Sequence, residues 1–182
     1  MFQIIEKKNR RENGGVAIFI AVIAVASLML IATAISNLSY KEQIISQSGR
    51  DSKVAFFAAD SGMECALFHD LKGGVNGLFT FATPSQAQSG TLYCNGVEVS
   101  RETDLVGGSM VTKFYFNISD GSGDVTPSCS VVTVTKTLSG SDIETVIESS
   151  GYNNTCSGSI ANPAIGGSND TRNLERALRV EY

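Results

Sequence analysis

The sequence predicts an α+β protein in which a long N-terminal helix, transmembrane and then amphipathic, packs against a mainly antiparallel C-terminal β-sheet. Residues 1–83 of the 182-residue chain contain no proline, and Gly49 and Gly62 are the only glycines of residues 16–72. A helix can therefore continue through this region, although each of the two glycines should weaken it by about 1 kcal/mol relative to alanine. From about residue 71, short runs rich in Val, Ser and Thr alternate with turn residues, which is typical of β-strands.

The first half of the predicted helix is an uncharged apolar segment, residues 16–35, in which only Ser27 and Thr33 are polar. Twenty helical residues extend about 30 Å, the thickness of the hydrocarbon core of a bilayer. The segment therefore predicts a single membrane span. Four basic residues precede it and Lys41 alone follows closely, so residues 1–15 should stay on the cytoplasmic side and the C-terminal part outside the cytoplasmic membrane.

Three fates of this segment are compatible with the pattern. It could be a plain single-span anchor, or a secretory signal cut near Ala32-Thr33-Ala34. A signal is disfavoured because its apolar region is usually about 7–15 residues long and because the helical pattern continues without a break. The third fate is cleavage of a leader, residues 1–15, between Gly15 and Val16, where the glycine pair Gly14-Gly15 should leave the backbone extended and accessible.

The second half of the helix, residues 36–70, is amphipathic. One face carries a stripe of apolar residues, and the opposite face is charged and includes Lys41, Glu42, Arg50 and Lys53. We expect residues 55–67 of the apolar stripe to pack against the β-rich head, and the uniformly apolar first half to contact lipid or sister helices. The stripe contains Leu38, Ile45, Ser52, Ala59 and Ala66 at seven-residue spacing, widened by Ala55, Phe56, Met63 and Leu67.

Two segments of the helix resemble the PilX-type branch of the type IV pilins. The first is Gly15 followed by Val16-Ala17-Ile18, which resembles a "GVAL" start. The second, AFFAADSGME at residues 55–64, resembles an "AFYAAEAGIE" segment. The resemblance covers about residues 14–67, roughly a third of the chain, and does not include the C-terminal part.

The resemblance implies a minor pilin or pseudopilin with a pilin-like fold. A prepilin peptidase would cut between Gly15 and Val16, and Val16 would become the N-methylated N-terminus. The subunit would then leave the lipid bilayer with the help of an inner-membrane assembly platform. It would join other pilin subunits through its N-terminal helix and end at the cell surface in a pilus or related filament.

One position departs from the pattern of the major pilins. Their fifth mature residue is glutamate, whereas the corresponding residue here is Ile20. A carboxylate inside a bilayer costs about 2.5–3.5 kcal/mol on insertion scales and is kept where it has a partner. The departure favours a tip or initiating subunit, and the alternative is that this branch lacks the glutamate for unrelated reasons.

The head, residues 71–182, should contain about five strands in a mostly antiparallel sheet. The turn pair Asn95-Gly96 predicts one hairpin, and residues 139–142 predict a second. An exposed loop, with any adhesive or subunit contact, is expected at residues 160–172. The predicted strands cover residues 92–94, 97–99, 110–118, 130–138, 143–149 and 177–182.

All four cysteines follow the membrane segment, where an oxidising compartment favours disulfides. If the second hairpin turns near Gly140, Cys129 falls opposite residue 152, close to Cys156. This favours the pairs Cys129–Cys156 and Cys65–Cys94, with free buried thiols as the alternative. The cysteine spacing contains no pair typical of a zinc site, and we expect no metal or other cofactor.

The composition argues against several other functions. A net charge of −4 is unlike a nucleic-acid-binding protein, and we expect no nucleic-acid site. The single histidine, His69, is better explained by the dipole of a helix C-terminus than by a catalytic pair with Asp70. Residues 120–124 could hold calcium but are more simply interpreted as a solvated turn. The glycosylation pattern Asn-x-Ser/Thr occurs at residues 117, 153 and 169, and we attribute these matches to chance because the chain is rich in Ser and Thr.

Three functions therefore compete for this chain: a filament subunit, a single-span anchor presenting a β-rich binding domain that never polymerises, and a membrane-tethered hydrolase. The hydrolase is disfavoured because no catalytic constellation can be identified. We expect a protein that is not an enzyme, with the filament subunit as the preferred function.

Overall fold

A computed structural model describes residues 14–72, 81–118, 128–166 and 173–182 of the chain. These residues form one helix and nine strands, and the predicted α+β class is confirmed. The chain divides into two compact units, Met1–Gln47 and Ser48–Tyr182.

The helix α1 comprises Gly14–Leu71 and contributes to both units. In the first unit, every helical residue from 15 to 47 is exposed. This includes Leu38 and Ile45, which are 59% and 71% exposed although they belong to the predicted stripe. In the second unit, one face of the helix is buried under the sheet.

The main sheet of the second unit has five antiparallel strands in the order β3-β4-β5-β6-β9. Its buried face carries alternate side chains of β4, β5 and β6, as expected for an antiparallel sheet with one face covered. The strands are β3 (Arg101–Val106), β4 (Ser109–Ile118), β5 (Ser128–Ser139), β6 (Asp142–Tyr152) and β9 (Glu175–Glu181).

The remaining strands form two small antiparallel pairs. Strands β1 (Leu92–Cys94) and β2 (Val97–Val99) are the predicted hairpin, with Asn95 and Gly96 at positive φ angles of 52° and 74°. Both angles suit a two-residue turn of type I′. The hairpin forms a sheet of its own, separate from the five-stranded sheet.

Three strands, β3, β7 (Cys156–Gly158) and β8 (Pro163–Ile165), were not expected from the sequence. Strand β3 completes one side of the main sheet, although RETDLV lacks a regular apolar alternation. Strand β8 (Pro163–Ile165) lies inside the region predicted to be an exposed loop. It pairs with β7 (Cys156–Gly158), which precedes that region. The last part of that region, residues 167–172, lies outside the described residues.

The core of the second unit lies between α1 and the sheet. Phe114, Val132 and Ile147 from three neighbouring strands are completely buried, and the ring of Phe81 stacks on Phe114 with centroids 5.9 Å apart. The buried face of α1 is made of small residues, Ala55, Ala58, Ala59, Gly62 and Ala66, together with Met63.

Within residues 55–67, which were expected to pack on the sheet, one residue of the stripe is placed differently. Phe56 is 45% exposed rather than packed on the sheet. The buried positions repeat at intervals of three and four residues, as they do on one face of a helix. Phe56 lies about 100° around the helix from Ala55 and therefore falls at the margin of the buried face.

Candidate functional site

The most unusual surface of the described chain is the apolar part of α1, residues 16–35. Its side chains are all exposed, including Val16 at 61%, Ile20 at 60% and Leu30 at 72%. The helix is long and apolar enough to cross a membrane, and its most apolar stretch is entirely exposed. An apolar surface of this extent indicates contact with lipid or with other protein chains.

The polar side chains of this segment are satisfied within the helix itself. Ser27 Oγ donates to the carbonyl oxygen of Ala24 at 2.8 Å, and Thr33 Oγ1 donates to that of Leu30 at 2.9 Å. In hydrocarbon an unpaired hydroxyl would cost several kcal/mol. The two hydroxyls therefore add little to the cost of placing the segment in a bilayer.

The predicted cleavage position, Gly15–Val16, lies in the first turn of α1, which begins at Gly14. The expectation of an extended backbone at the glycine pair is therefore wrong, because the helix continues N-terminally through both glycines. The position is nonetheless open, since Gly15 is exposed and a side chain added there would meet nothing within 4 Å. The N–H groups of a first turn lack partners within the helix, so unwinding this turn is cheap.

The closest approach of α1 to the sheet depends on two glycines, Gly62 on the helix and Gly151 on β6. A Cβ atom at Gly151 would collide with backbone atoms of Ala55, Ala58 and Ala59. A Cβ atom at Gly62 would collide with the side chains of Ser130, Ser149 and Val132. We call this contact the seam, defined by Ala55, Ala58, Ala59 and Gly62 of α1 and by Ser130, Val132, Ser149 and Gly151 of the sheet.

The seam also contains hydrogen bonds between buried groups. Ser149 Oγ donates to the carbonyl oxygen of Ala59 at 2.6 Å and lies 3.1 Å from Ser130 Oγ. Both serines are completely buried. Small polar side chains fit here because the backbone of α1 lies almost directly against the sheet, and the bonds satisfy groups that would otherwise be desolvated.

At the C-terminal end of α1, an ion pair attaches the helix to the sheet. Lys136 Nζ of β5 lies 2.6 Å from Asp70 Oδ1, and both side chains are about nine-tenths buried. Lys136 also donates to Thr145 Oγ1 at 3.2 Å, and the hydroxyl of Tyr182 donates to Asp70 Oδ2 at 2.7 Å. Burial, together with the neighbouring Asp70 carboxylate, raises the pKa of Tyr182 above its ordinary value.

Two disulfides complete the head, and they are the two pairs favoured by the sequence. Cys65–Cys94 joins α1 to β1, and Cys129–Cys156 joins β5 to β7. No free cysteine occurs among the described residues. The register that suggested the second pair is also present, since Cys129 is paired with Tyr152 across β5 and β6.

His69 lies in the last turn of α1, as expected, and it also makes a contact that the helix dipole does not predict. It is 1% exposed, and its Nε2 lies 2.9 Å from the carbonyl oxygen of Tyr93. Its Nδ1 has no hydrogen-bond partner in the part of the chain described. The imidazole therefore links α1 to the β1–β2 hairpin, which sequence reasoning on the helix dipole did not foresee.

The weaker sequence motifs that fall within the described residues provide no site. The side-chain amide of Asn117 is bonded to the backbone of Cys156, with an N–H···Oδ1 distance of 2.8 Å and an Nδ2···O distance of 3.1 Å. Asn153 Oδ1 accepts the backbone N–H of Leu174 at 2.7 Å. The possible calcium turn at residues 120–124 and the motif at residue 169 lie outside the described residues. Within the described ranges, no three His, Cys, Asp or Glu side chains are grouped as a metal site would need.

Comparison with known proteins identifies no relative. No family model matches the chain, no curated protein matches it, and no solved structure matches it.

Sequence reasoning missed Gly151, Ser149 and Lys136, which contact α1 across the seam or at its end. The signal was present only for Gly62, a glycine inside an apolar helical stripe, which often indicates a close backbone approach. The partners on the sheet are identifiable only once the register of β5 and β6 on the helix is known.

Proposed function

We propose that this protein is a minor pilin-like or pseudopilin-like subunit of a type IV pilus or related filament. The observation that carries the proposal is the exposed, uncharged half of α1, which begins directly after Gly15. A prepilin peptidase would remove residues 1–15, and Val16 would become the N-methylated end of the mature chain. The apolar half-helix would then exchange lipid for the helices of other subunits.

The attachment of α1 to the β-rich head supports a role as a filament subunit. The second half of the helix is held by the seam, by Cys65–Cys94 and by the Asp70–Lys136 ion pair. A subunit that is extracted from a membrane and then bears load needs such a junction, because force applied to the helix must reach the head without separating them. An anchor that only displays a domain has no such need.

The position of the subunit within the filament is also a proposal. Ile20 occupies the position at which major pilins carry glutamate, so this subunit would not offer a carboxylate to the N-terminal amine of a neighbouring subunit. We propose a place at the tip or in initiation, where that contact is dispensable. Labelled subunits should then be found at filament ends, and labelling evenly along the filament would contradict this place.

The orientation follows from charge. The basic residues Lys7, Lys8, Arg10 and Arg11 precede the apolar segment, so the leader would remain in the cytoplasm and the head would lie outside. This places all four cysteines in a compartment where disulfides persist. Protease added to intact spheroplasts should digest the head and spare an epitope fused to the leader.

The deciding experiment is the intact mass of the full chain after co-expression with an active prepilin peptidase. We expect loss of residues 1–15, leaving 182 − 15 = 167 residues that begin at Val16. The Gly15→Leu variant should keep the leader, whereas the control Gly14→Ala should be processed. Retention of Met1 in the wild-type chain, while the same peptidase processes a known prepilin, would favour the single-span anchor that presents a non-polymerising binding domain.

A further inference from the structure

The two disulfides of the head differ in their access to solvent. Cys65 is half-buried, and the disulfide that it forms with Cys94 lines an open cleft of about 350 Å³. Cys94, Cys129 and Cys156 are 1%, 0% and 3% exposed, so Cys65 is the one cysteine of the four that presents surface to solvent. A thiol in solution can therefore approach Cys65 Sγ without any opening of the fold, but it can reach Cys129–Cys156 only after a local unfolding event.

The part of the head that Cys94 belongs to is small. Strands β1 and β2 form a sheet of their own and do not pair with the five-stranded sheet. Leu92, Cys94 and Val99 bury the hairpin on the core, and the His69–Tyr93 hydrogen bond connects it to α1. The disulfide is its covalent connection to the helix.

The other contacts of α1 with the head do not involve this disulfide. The seam lies on β5 and β6, and Asp70 is bonded to Lys136 and Tyr182. Loss of Cys65–Cys94 would therefore loosen the hairpin while the helix stays attached to the main sheet.

We propose that Cys65–Cys94 is an exchange site for a dithiol reductant, and that its reduction releases the β1–β2 hairpin from α1. Cys129–Cys156 is a structural bond that the same reductant leaves intact. The proposal uses only residues of the second unit, Ser48–Tyr182, so it stands whether or not the chain enters a filament.

The chemistry is ordinary thiol–disulfide exchange. A thiolate of the reductant attacks Cys65 Sγ, the Cys65–Cys94 bond breaks, and Cys94 leaves as a thiolate that takes up a proton. The second thiol of the reductant resolves the mixed disulfide and frees Cys65. The protein gains two electrons and two protons, and the reductant becomes a disulfide.

The cleft also controls the rate of attack. Glu64 lines it together with Cys65, Phe68 and Tyr93, and the Glu64 side chain is exposed. A carboxylate beside the attacked sulfur repels an incoming thiolate. The Glu64→Gln variant should react about two- to threefold faster at low ionic strength, and this gain should shrink in high salt. A rate that does not change, or that falls, would show that Glu64 has no part in the site.

The test uses the full chain in detergent, without denaturant, exposed to dithiothreitol and then trapped with iodoacetamide. Peptide mapping gives the labelling rate of each cysteine. We expect Cys65 and Cys94 to be labelled at least about tenfold faster than Cys129 and Cys156. The reason is that only the second disulfide requires local unfolding before the reductant can reach it. A smaller ratio, or the reverse order, would overturn the proposal.

Hydrogen exchange of the selectively reduced and alkylated chain tests the release. Amides of residues 92–99 should exchange faster than in the oxidised chain, and those of residues 128–152 should keep their rates. Unchanged exchange at residues 92–99 would refute release of the hairpin. Faster exchange throughout both regions would show instead that the disulfide supports the whole head.

Discussion

Lys136 and Asp70 form an ion pair between β5 and the last turn of α1, with 2.6 Å between Nζ and Oδ1 and about nine-tenths of each side chain buried. An acidic residue at the C-terminal end of a helix interacts unfavourably with the negative end of the helix dipole. Lys136, Thr145 and Tyr182 offset that cost by surrounding the carboxylate and its partner with hydrogen bonds. The pair therefore fixes the end of the helix against the sheet.

Removing one partner of this pair should be costly. We expect Lys136→Met to lower the free energy of unfolding of the head by about 3–5 kcal/mol, because Asp70 would stay buried without its cation. The double variant Lys136→Met/Asp70→Asn should recover a large part of this loss. Arg179→Met is the matched control, since Arg179 and Glu148 are 60% and 56% exposed and their pair should contribute less than about 1 kcal/mol. Chemical denaturation monitored by near-ultraviolet circular dichroism would measure all three, and equal losses for Lys136→Met and Arg179→Met would contradict the prediction.

The raised pKa of Tyr182 predicts a loss of stability in alkaline solution. The folded chain holds the hydroxyl proton of Tyr182 more tightly than the unfolded chain. The contribution of this group to the free energy of unfolding is therefore complete below about pH 10. It is lost progressively as the pH rises above that value. Tyr182→Phe should cost about 0.5–1.5 kcal/mol at neutral pH through its lost hydrogen bond, and it should show a shallower decline above pH 10. Denaturation curves from pH 7 to 11 would test this, and parallel declines for the two proteins would exclude the linkage.

The seam should tolerate no added methyl group. We expect Gly151→Ala to destabilise the head by about 1–3 kcal/mol or more, since its Cβ would collide with backbone atoms of α1 that cannot rotate away. Gly62→Ala should have a smaller effect in the same direction, because the opposing atoms belong to side chains.

The control for both glycine variants is Gly49→Ala, at a helical position with nothing within 4 Å. It should leave the head unchanged or stabilise α1 by about 0.5–1 kcal/mol. Thermal unfolding in detergent would rank the three variants. A tolerated Gly151→Ala would show that the helix and the sheet are not in close contact.

A charge in the apolar half of α1 should impair membrane insertion. Ile23→Arg is expected to cost about 2.5–3.5 kcal/mol at the centre of the span. Ile45→Arg, at an exposed position beyond the apolar segment, is the control and should insert normally. Resistance to carbonate extraction would measure the inserted fraction, and equal fractions for the two variants would argue against a span at residues 16–35.

Local sequence was sufficient for several elements. The absence of proline and the rarity of glycine predicted α1, and Asn95-Gly96 predicted the first hairpin because both residues accept positive φ angles. The turn at Gly140, with a φ of 69°, set the register that brings Cys129 opposite Tyr152. These features depend on neighbours along the chain, so a single sequence contains the information.

Other features could not be predicted in this way. Strand β3 has a mixed sequence and is held at the side of the main sheet by its pairing with β4. Phe56 was expected on the sheet because it was assigned to the apolar stripe, but it lies at the margin of the buried face and is 45% exposed. Periodicity identifies which side of a helix is apolar and says nothing about how much space lies opposite it.

The sequence by itself determined the long helix, its uncharged first half and the β-rich character of the head, since each follows from composition and short-range spacing. Only the tertiary structure decided that Gly151 and Ser149 face α1 and that Lys136 meets Asp70, 66 residues away in the chain. Such pairs depend on the distance between two packed backbones and on the register of one against the other. Those two quantities are set by the whole interface and not by any single segment.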